Sequence, residues 1–124
     1  RGDAVPHFEA TALDGTSIRY RDVWQRKNLL LVALPAGQAA AFESYVSLLE
    51  SRRADLSAHE AVCVITRDPI PGVPPPAVVV ADRWGEAALV ASGQIAADLP
   101  AADELVEWLH SVQIRCPECE GESR

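Results

Sequence analysis

Pro76-Ala77-Val78-Val79-Val80-Ala81-Asp82-Arg83-Trp84-Gly85 is the stretch on which the fold turns. Its valine run reads as a strand, because β-branched side chains suit a pleated, buried surface. Asp82-Arg83-Trp84-Gly85 reads as a turn, and Glu86-Ala87-Ala88-Leu89-Val90 as the antiparallel partner strand. Upstream, Pro69, Pro71, Pro74, Pro75 and Pro76 crowd one short segment. They remove backbone donors and fix φ, which makes 68–76 a stiff loop and neither helix nor inner strand. Downstream, Leu105, Trp108, Leu109 and Val112 recur at helical spacing behind Asp103, a candidate N-cap. That helix is followed by a polar tail.

Working further toward the N-terminus, Ala61-Val62-Cys63-Val64-Ile65 is short and β-branched, and reads as a buried strand. Phe42, Tyr45, Val46 and Leu49 fall at i, i+3, i+4 and i+7, so the spacing predicts a helix from Gln38 to about Arg53. Before it, Asn28-Leu29-Leu30-Leu31-Val32-Ala33-Leu34 is nearly all apolar, as expected of a strand covered on both faces. Strand, helix and strand make a β-α-β unit with the two strands parallel. Asp22-Val23-Trp24-Gln25 reads as a short helical turn. Asp14-Gly15, between Phe8–Leu13 and Ser17–Tyr20, supplies the positive backbone angles of a tight hairpin.

The bulk numbers set limits on function. A chain of 124 residues is one domain by length, and its 48% hydrophobic, 23% charged composition is that of a globular protein. No apolar run approaches the roughly 20 residues needed to span a bilayer. A net charge of -7 argues against nucleic acid, whose phosphates must be met by clustered basic groups. The expected compartment is the cytoplasm, with a trimmed N-terminus consistent with Arg1 and the absence of methionine. Three cysteines, an odd number in a core-forming domain, are not a disulfide framework.

Gly2-Asp3-Ala4-Val5-Pro6-His7-Phe8 followed by Leu13-Asp14-Gly15 is similar to the opening of redoxins, and Pro76–Gly85 is similar to their Pro-Thr-Thr-Phe-Leu-Ile-Asp-x-x-Gly. With the element order hairpin, β-α-β, loop, β-hairpin, helix, the chain resembles the thioredoxin-like redoxin superfamily. Its peroxiredoxin branch is the alkyl hydroperoxide reductase and thiol-specific antioxidant type. The resemblance implies an α/β thioredoxin-like fold: an N-terminal β-hairpin, then β-α-β and β-β-α units, in a three-layer sandwich. It covers residues 1–112 as one redoxin domain and leaves 113–124 as a tail carrying Cys116-Pro117-Glu118-Cys119. In that register Pro76 stands at the family's cis-proline, and Pro35 and Pro76 border its substrate groove. Counting from Pro35 along Pro-x-x-x-Thr-x-x-Cys puts Ala39 at the threonine and Phe42 at the peroxide-reducing cysteine. A thioredoxin register puts the same two residues at the cysteines of Cys-x-x-Cys. The implied catalytic site is therefore empty of thiols, and Phe42 reads as the first residue of an apolar stripe.

The remaining chemistry lies elsewhere. Cys63, mid-strand among valine and isoleucine, reads as packing. Cys116 and Cys119 have three competing readings. As a redox pair they follow a helix C-terminus beside Glu118, Glu120 and Glu122, surroundings that oppose a thiolate. As a zinc half-site they resemble the knuckle of zinc ribbons, with His110 as a third ligand or a second chain's tail completing four sulfurs. As a plain tail they do little. His7 and His59 read as surface residues, and Trp84 as an exposed contact residue in a turn. No phosphate-cradling glycine motif is present. The leading expectation is a non-catalytic binding or assembly module, working on a protein partner or as a homodimer, with no cofactor. The alternatives are a thiol-disulfide oxidoreductase using Cys116 and Cys119, and a dimer bridged by zinc through the tails.

Overall fold

The computed structural model describes residues 5, 7–35, 37–38, 40–68, 72 and 74–114. The N-terminal strands β1 (Glu9–Thr11) and β2 (Ser17–Arg19) form an antiparallel hairpin. The central strand is β3 (Asn28–Ala33), buried along its whole length as its unbroken apolar run requires. On one side it pairs in parallel with β4 (Ala61–Thr66), and on the other it pairs antiparallel with β5 (Ala77–Ala81). Beyond β5 lies β6 (Ala87–Ser92), giving the order β4-β3-β5-β6. Ala33 faces both Thr66 and Ala77 in register. The proline-rich connection between them therefore begins and ends at the C-terminal end of β3, the one geometry a short stiff loop can serve.

Successive side chains of a strand point to opposite faces, and the sheet builds a core on each. On one face Leu30, Val32, Val78 and Val80 pack against Leu49, Leu56, Leu105 and Leu109 of three helices. These are α1 (Glu43–Ser51), α2 (Arg53–Ala58) and α3 (Ala102–Ile114). On the other face Leu29, Leu31 and Val79 are covered by Phe8, Ala10, Tyr20 and Val23. The three layers are thus helices, sheet and the N-terminal segment, and each fully buried leucine contributes about 1.5–3 kcal/mol of transfer free energy. This α/β, thioredoxin-like arrangement is the one expected.

Several local expectations are corrected. The hairpin loop has three residues, Leu13 to Gly15, and not two. Gly15 N–H donates to the Ala12 carbonyl at 2.9 Å, and of Asp14 and Gly15 only Gly15 has positive φ, the pattern of a type I turn closed by a left-handed residue. The helix predicted over 38–53 is three pieces: a 3-10 turn at Ala40–Phe42, then α1, then α2 after a break at Arg52. Leu56, seven positions after Leu49, continues the same apolar stripe and is buried. The helical turn expected at Asp22–Gln25 begins earlier, with a 3-10 turn at Tyr20–Asp22, and its hydrogen bonds run on as far as Lys27 N–H to the Val23 carbonyl. Asp103 is not the N-cap of α3 but lies in its first turn, because the Ala101 carbonyl already accepts from Leu105 N–H at 3.0 Å. Its charge there still complements the helix dipole.

Candidate functional site

The end of the sheet where β3 leads into α1 is the edge at which the sequence places its empty thiol site. Leu34 is held there by its N–H donating to the Thr66 carbonyl at 2.8 Å. Pro35, half-buried, follows it. The Pro75–Pro76 peptide is cis, and the buried Pro76 presents its carbonyl to Gly93 N–H at 3.2 Å. Gly93 has no room for a side chain, since a Cβ would meet Asp98 Cβ at 2.3 Å. Pro35 and Pro76, the two candidate groove residues, therefore share one end of the sheet.

Phe42 closes the 3-10 turn just before α1 and is 1% exposed. It belongs to the same core as Tyr45, Leu49, Val78 and Leu105. Tyr45, one turn on, donates its hydroxyl to the Pro100 carbonyl at 2.6 Å, and burial pushes its phenol well above the ordinary range. The first turn of α1 is thus packed by aromatic side chains and tied to the segment entering α3. Ala39 lies outside the described residues.

Cys63 is the free cysteine among the described residues. It sits in the middle of β4 opposite Leu30, away from the α1 end, and packs partly buried against the helix-side core. Burial pushes its thiol up to about 11, with Arg53 pulling slightly the other way and Glu50 adding to the rise. A thiol kept protonated is not a nucleophile at neutral pH. Beside it, Asp14, Thr16, Glu50 and Arg53 line a small cleft between hairpin and helix. Arg53 and Glu50 form an ion pair across its rim.

The opposite end of the sheet holds a polar cluster. Asn28, 1% exposed at the start of β3, donates through Nδ2 to the His59 carbonyl at 2.9 Å and to Gln113 Oε1 at 2.8 Å. Arg83 Nη2 donates to Glu60 Oε1 at 3.1 Å and to Gln113 Oε1 at 3.4 Å. Here the turn after α2, the β5–β6 turn and the last turn of α3 meet. His59 and His110 are brought together, with His59 Nε2 and His110 Nδ1 3.3 Å apart. By sequence alone His59 reads as a separate surface residue. The two histidines lie far apart in the chain, and only the docking of α3 beside α2 makes them neighbours, a relation carried by no local spacing.

Trp84 is exposed, 47% of it open to solvent, as expected of its turn. Its carbonyl accepts from Trp24 Nε1 at 3.1 Å, and His7 packs edge-on against Trp24. Trp108, read as part of the core stripe, packs half-buried against that core with Glu104, Glu107 and Ser111 beside it, while Leu105, Leu109 and Val112 are fully inside. Among the described residues no cluster of three or more potential metal ligands occurs, and no helix is long and apolar enough to cross a membrane. Cys116 and Cys119 lie outside the described residues.

No family model matches the sequence, and no curated protein does. Solved structures do match by shape. The reduced 2-Cys peroxiredoxin of Plasmodium vivax superposes with a TM-score of 0.75 at 14% identity, over 91% of this chain and 81% of its own. Peroxidoxin BcpB of Mycobacterium tuberculosis does so with a TM-score of 0.68 at 16% identity, over 89% and 96%. The thioredoxin domain of a thiol-disulfide oxidoreductase from Bacteroides vulgatus gives 0.58 at 14% identity, over 89% and 95%. The chain has the thioredoxin-like, redoxin-type fold that these peroxiredoxins and thiol-disulfide oxidoreductases share.

Proposed function

We propose that this protein is a redoxin-fold binding or assembly module that does not carry out peroxide or dithiol chemistry at the α1 end of its sheet. The observation that carries the reading is Phe42: in the register of the reactive cysteine stands a phenyl ring that fills the core. A thiolate at a helix N-terminus draws its reactivity from unpaired N–H groups and the positive dipole end, and a buried hydrocarbon offers neither nucleophile nor leaving group. The edge bordered by Pro35 and Pro76 is the face offered to a partner, either another protein or a second copy of this chain.

The dithiol reading must bring Cys116 or Cys119 to that edge or use them where they are. Gln113 is fixed at the far end of β3 by Asn28. The 6 residues of β3 span about 17–20 Å at roughly 3.3 Å per residue. Cys116 follows Gln113 by three residues, at most about 11 Å of extended chain, and Cys119 by six residues, about 20–22 Å, so of the two only Cys119 spans that distance, and only on a fully extended chain.

The test measures peroxide consumption and reduction of a model disulfide by the purified full chain, beside its Cys116→Ser/Cys119→Ser variant. Neither protein is expected to exceed the rate of the thiol buffer alone. Turnover by the parent that disappears in the variant would replace this reading with the dithiol oxidoreductase. Turnover that survives in the variant would overturn both.

A further inference from the structure

We propose that the exposed aromatic face beside the β5–β6 turn, built by His7, Trp24 and Trp84, docks an acidic segment of a partner protein. The face lies at the end of the sheet opposite Pro35 and Pro76, so the inference goes beyond the proposed function and is tested apart from it.

Two tryptophans are left at the surface here, Trp24 36% and Trp84 47% exposed. They are joined, since Trp24 Nε1 donates to the Trp84 carbonyl at 3.1 Å, and His7 meets the Trp24 ring edge-on with centroids 5.2 Å apart. The mount is firm. Asp82 Oδ1 accepts from Trp84 N–H at 2.9 Å and from Glu86 N–H at 3.0 Å, and the Gly85 carbonyl accepts from Val5 N–H at 2.8 Å. Tryptophan and arginine are among the side chains most enriched where an interface concentrates its binding energy, and a rigid mount leaves little freedom to lose on docking.

The charge beside the rings names the chemistry of the partner. Residues 19–27 hold four basic side chains and one acid in a chain of net charge -7. Asp22 is engaged by Arg19 at 3.4 Å, and Arg83 by Glu60 at 3.1 Å. Arg21, Arg26 and Lys27 are exposed and form no ion pair among the described residues. The Arg26 and Lys27 N–H groups both donate to the Val23 carbonyl, which keeps these two cations in the same turn as Trp24. Glu86 is the exposed carboxylate of the β5–β6 turn, one against three cations. Elsewhere acids outnumber bases along the chain, so an acidic segment is drawn to this face and repelled from the rest, which fixes where it docks. A nucleic acid carries the same sign of charge, but its long phosphate array would run onto the acidic remainder of the molecule.

Beneath the rings lies a donor without an acceptor. Tyr20 is 1% exposed and is stacked on Phe8 with centroids 5.4 Å apart. Its hydroxyl is the buried side-chain polar atom that finds no hydrogen-bond partner among the described residues. Burial, with the charge of Asp82 adding to it, pushes the phenol up to about 12, so the proton stays on. The hydroxyl borders the aromatic face: a Cβ on Gly85 would come 3.4 Å from it and 3.2 Å from Trp24 Nε1. Trp24 is held there by one side-chain hydrogen bond, and a turn of the indole opens the hydroxyl to an incoming acceptor. A carboxylate is such an acceptor, and it is the group the three cations call for as well.

Fluorescence anisotropy tests the assignment with a fluorescein-labelled peptide repeating Glu-Glu-Leu, its Gln-Gln-Leu counterpart and a labelled oligothymidylate of equal length. The acidic peptide is expected to bind the full chain saturably and at least about tenfold more tightly than the other two, with affinity falling as salt rises. Trp84→Ala and the double reversal Arg26→Glu/Lys27→Glu should each weaken binding at least about tenfold, and far-ultraviolet dichroism establishes that each is folded. Arg67→Glu, an exposed reversal just past β4 at the other end of the sheet, should change affinity less than about twofold, which separates a local face from net charge. Tyr20→Phe should weaken binding about threefold or more without lowering the thermal midpoint, because the hydroxyl it removes is unpaired in the free protein; unchanged affinity would overturn the carboxylate contact. No saturable binding of the acidic peptide, equal binding of the glutamine peptide or the oligonucleotide, full affinity in the folded double reversal, or an equal loss in Arg67→Glu would each overturn the docking face. So would sedimentation showing a dimer that Trp84→Ala dissolves, since the face would then belong to a second copy.

Discussion

At the scale of single residues, two side chains decide what the α1 edge and the sheet can do. Phe42 is a core residue by every physical measure: no room to solvent, aromatic and aliphatic neighbours, and a position that seals the start of α1. Phe42→Ala should cost about 3–5 kcal/mol, read as a lower denaturant midpoint at unchanged slope; a loss below about 1 kcal/mol would mean that the ring is not packed as described. Cys63 tests electrostatics. Its native thiol is raised from 9.0 to about 11 by burial, so the folded state holds its proton more tightly than the unfolded state. The stability this contributes is complete below about 9 and is lost as pH rises toward 11. With Cys116 and Cys119 replaced by serine, alkylation of Cys63 at pH 8 should run about a hundredfold slower than in the unfolded chain. The parent should lose stability above pH 9 faster than its Cys63→Ala variant. Equal alkylation rates in the folded and unfolded protein would refute the burial argument.

At the scale of elements, the sequence was most legible where one pattern had one cause. The buried strands over 28–33, 61–66 and 77–81 follow from unbroken apolar, β-branched runs, and the helix over 102–114 from its stripe. Legibility failed where two causes compete. The stripe from Phe42 through Leu49 to Leu56 runs straight across the break at Arg52, because apolar spacing reports the face a helix buries and not the backbone angles that interrupt it. Asp14-Gly15 carried the same ambiguity: the pair serves a two-residue turn or the end of a three-residue one, and hydrogen bonding of the whole loop chose the latter. Pro76 was legible through its register beside the valine strand. The histidine pair was not legible at all, since it depends on the docking of α3 against α2, a tertiary relation with no periodic signature.

At the scale of the whole molecule, the two ends of the sheet have different characters, and Asn28 shows how the polar end is held. It is one of the few buried polar side chains in an apolar interior, and its amide reaches both the turn after α2 and the last turn of α3. Buried polar groups persist when they are fully paired and become costly when a partner is removed. Asn28→Leu keeps the branched, four-heavy-atom shape of the side chain but leaves the His59 carbonyl and Gln113 Oε1 short of a donor. Arg83, at 3.4 Å from Gln113 Oε1, is a longer substitute for the second only. The expected loss is about 2–4 kcal/mol, against less than about 0.5 kcal/mol for Val90→Thr, an exposed substitution on the outer strand β6. Because Asn28 joins elements rather than filling space, its loss should also be directional. Amide hydrogen exchange should accelerate in the last turn of α3 and around His59, while Leu34, bonded to Thr66 at the other end of the same strand, should show only the change due to global stability. Uniform acceleration would mean that Asn28 contributes to the core as a whole and does not fasten these two helix ends to the sheet.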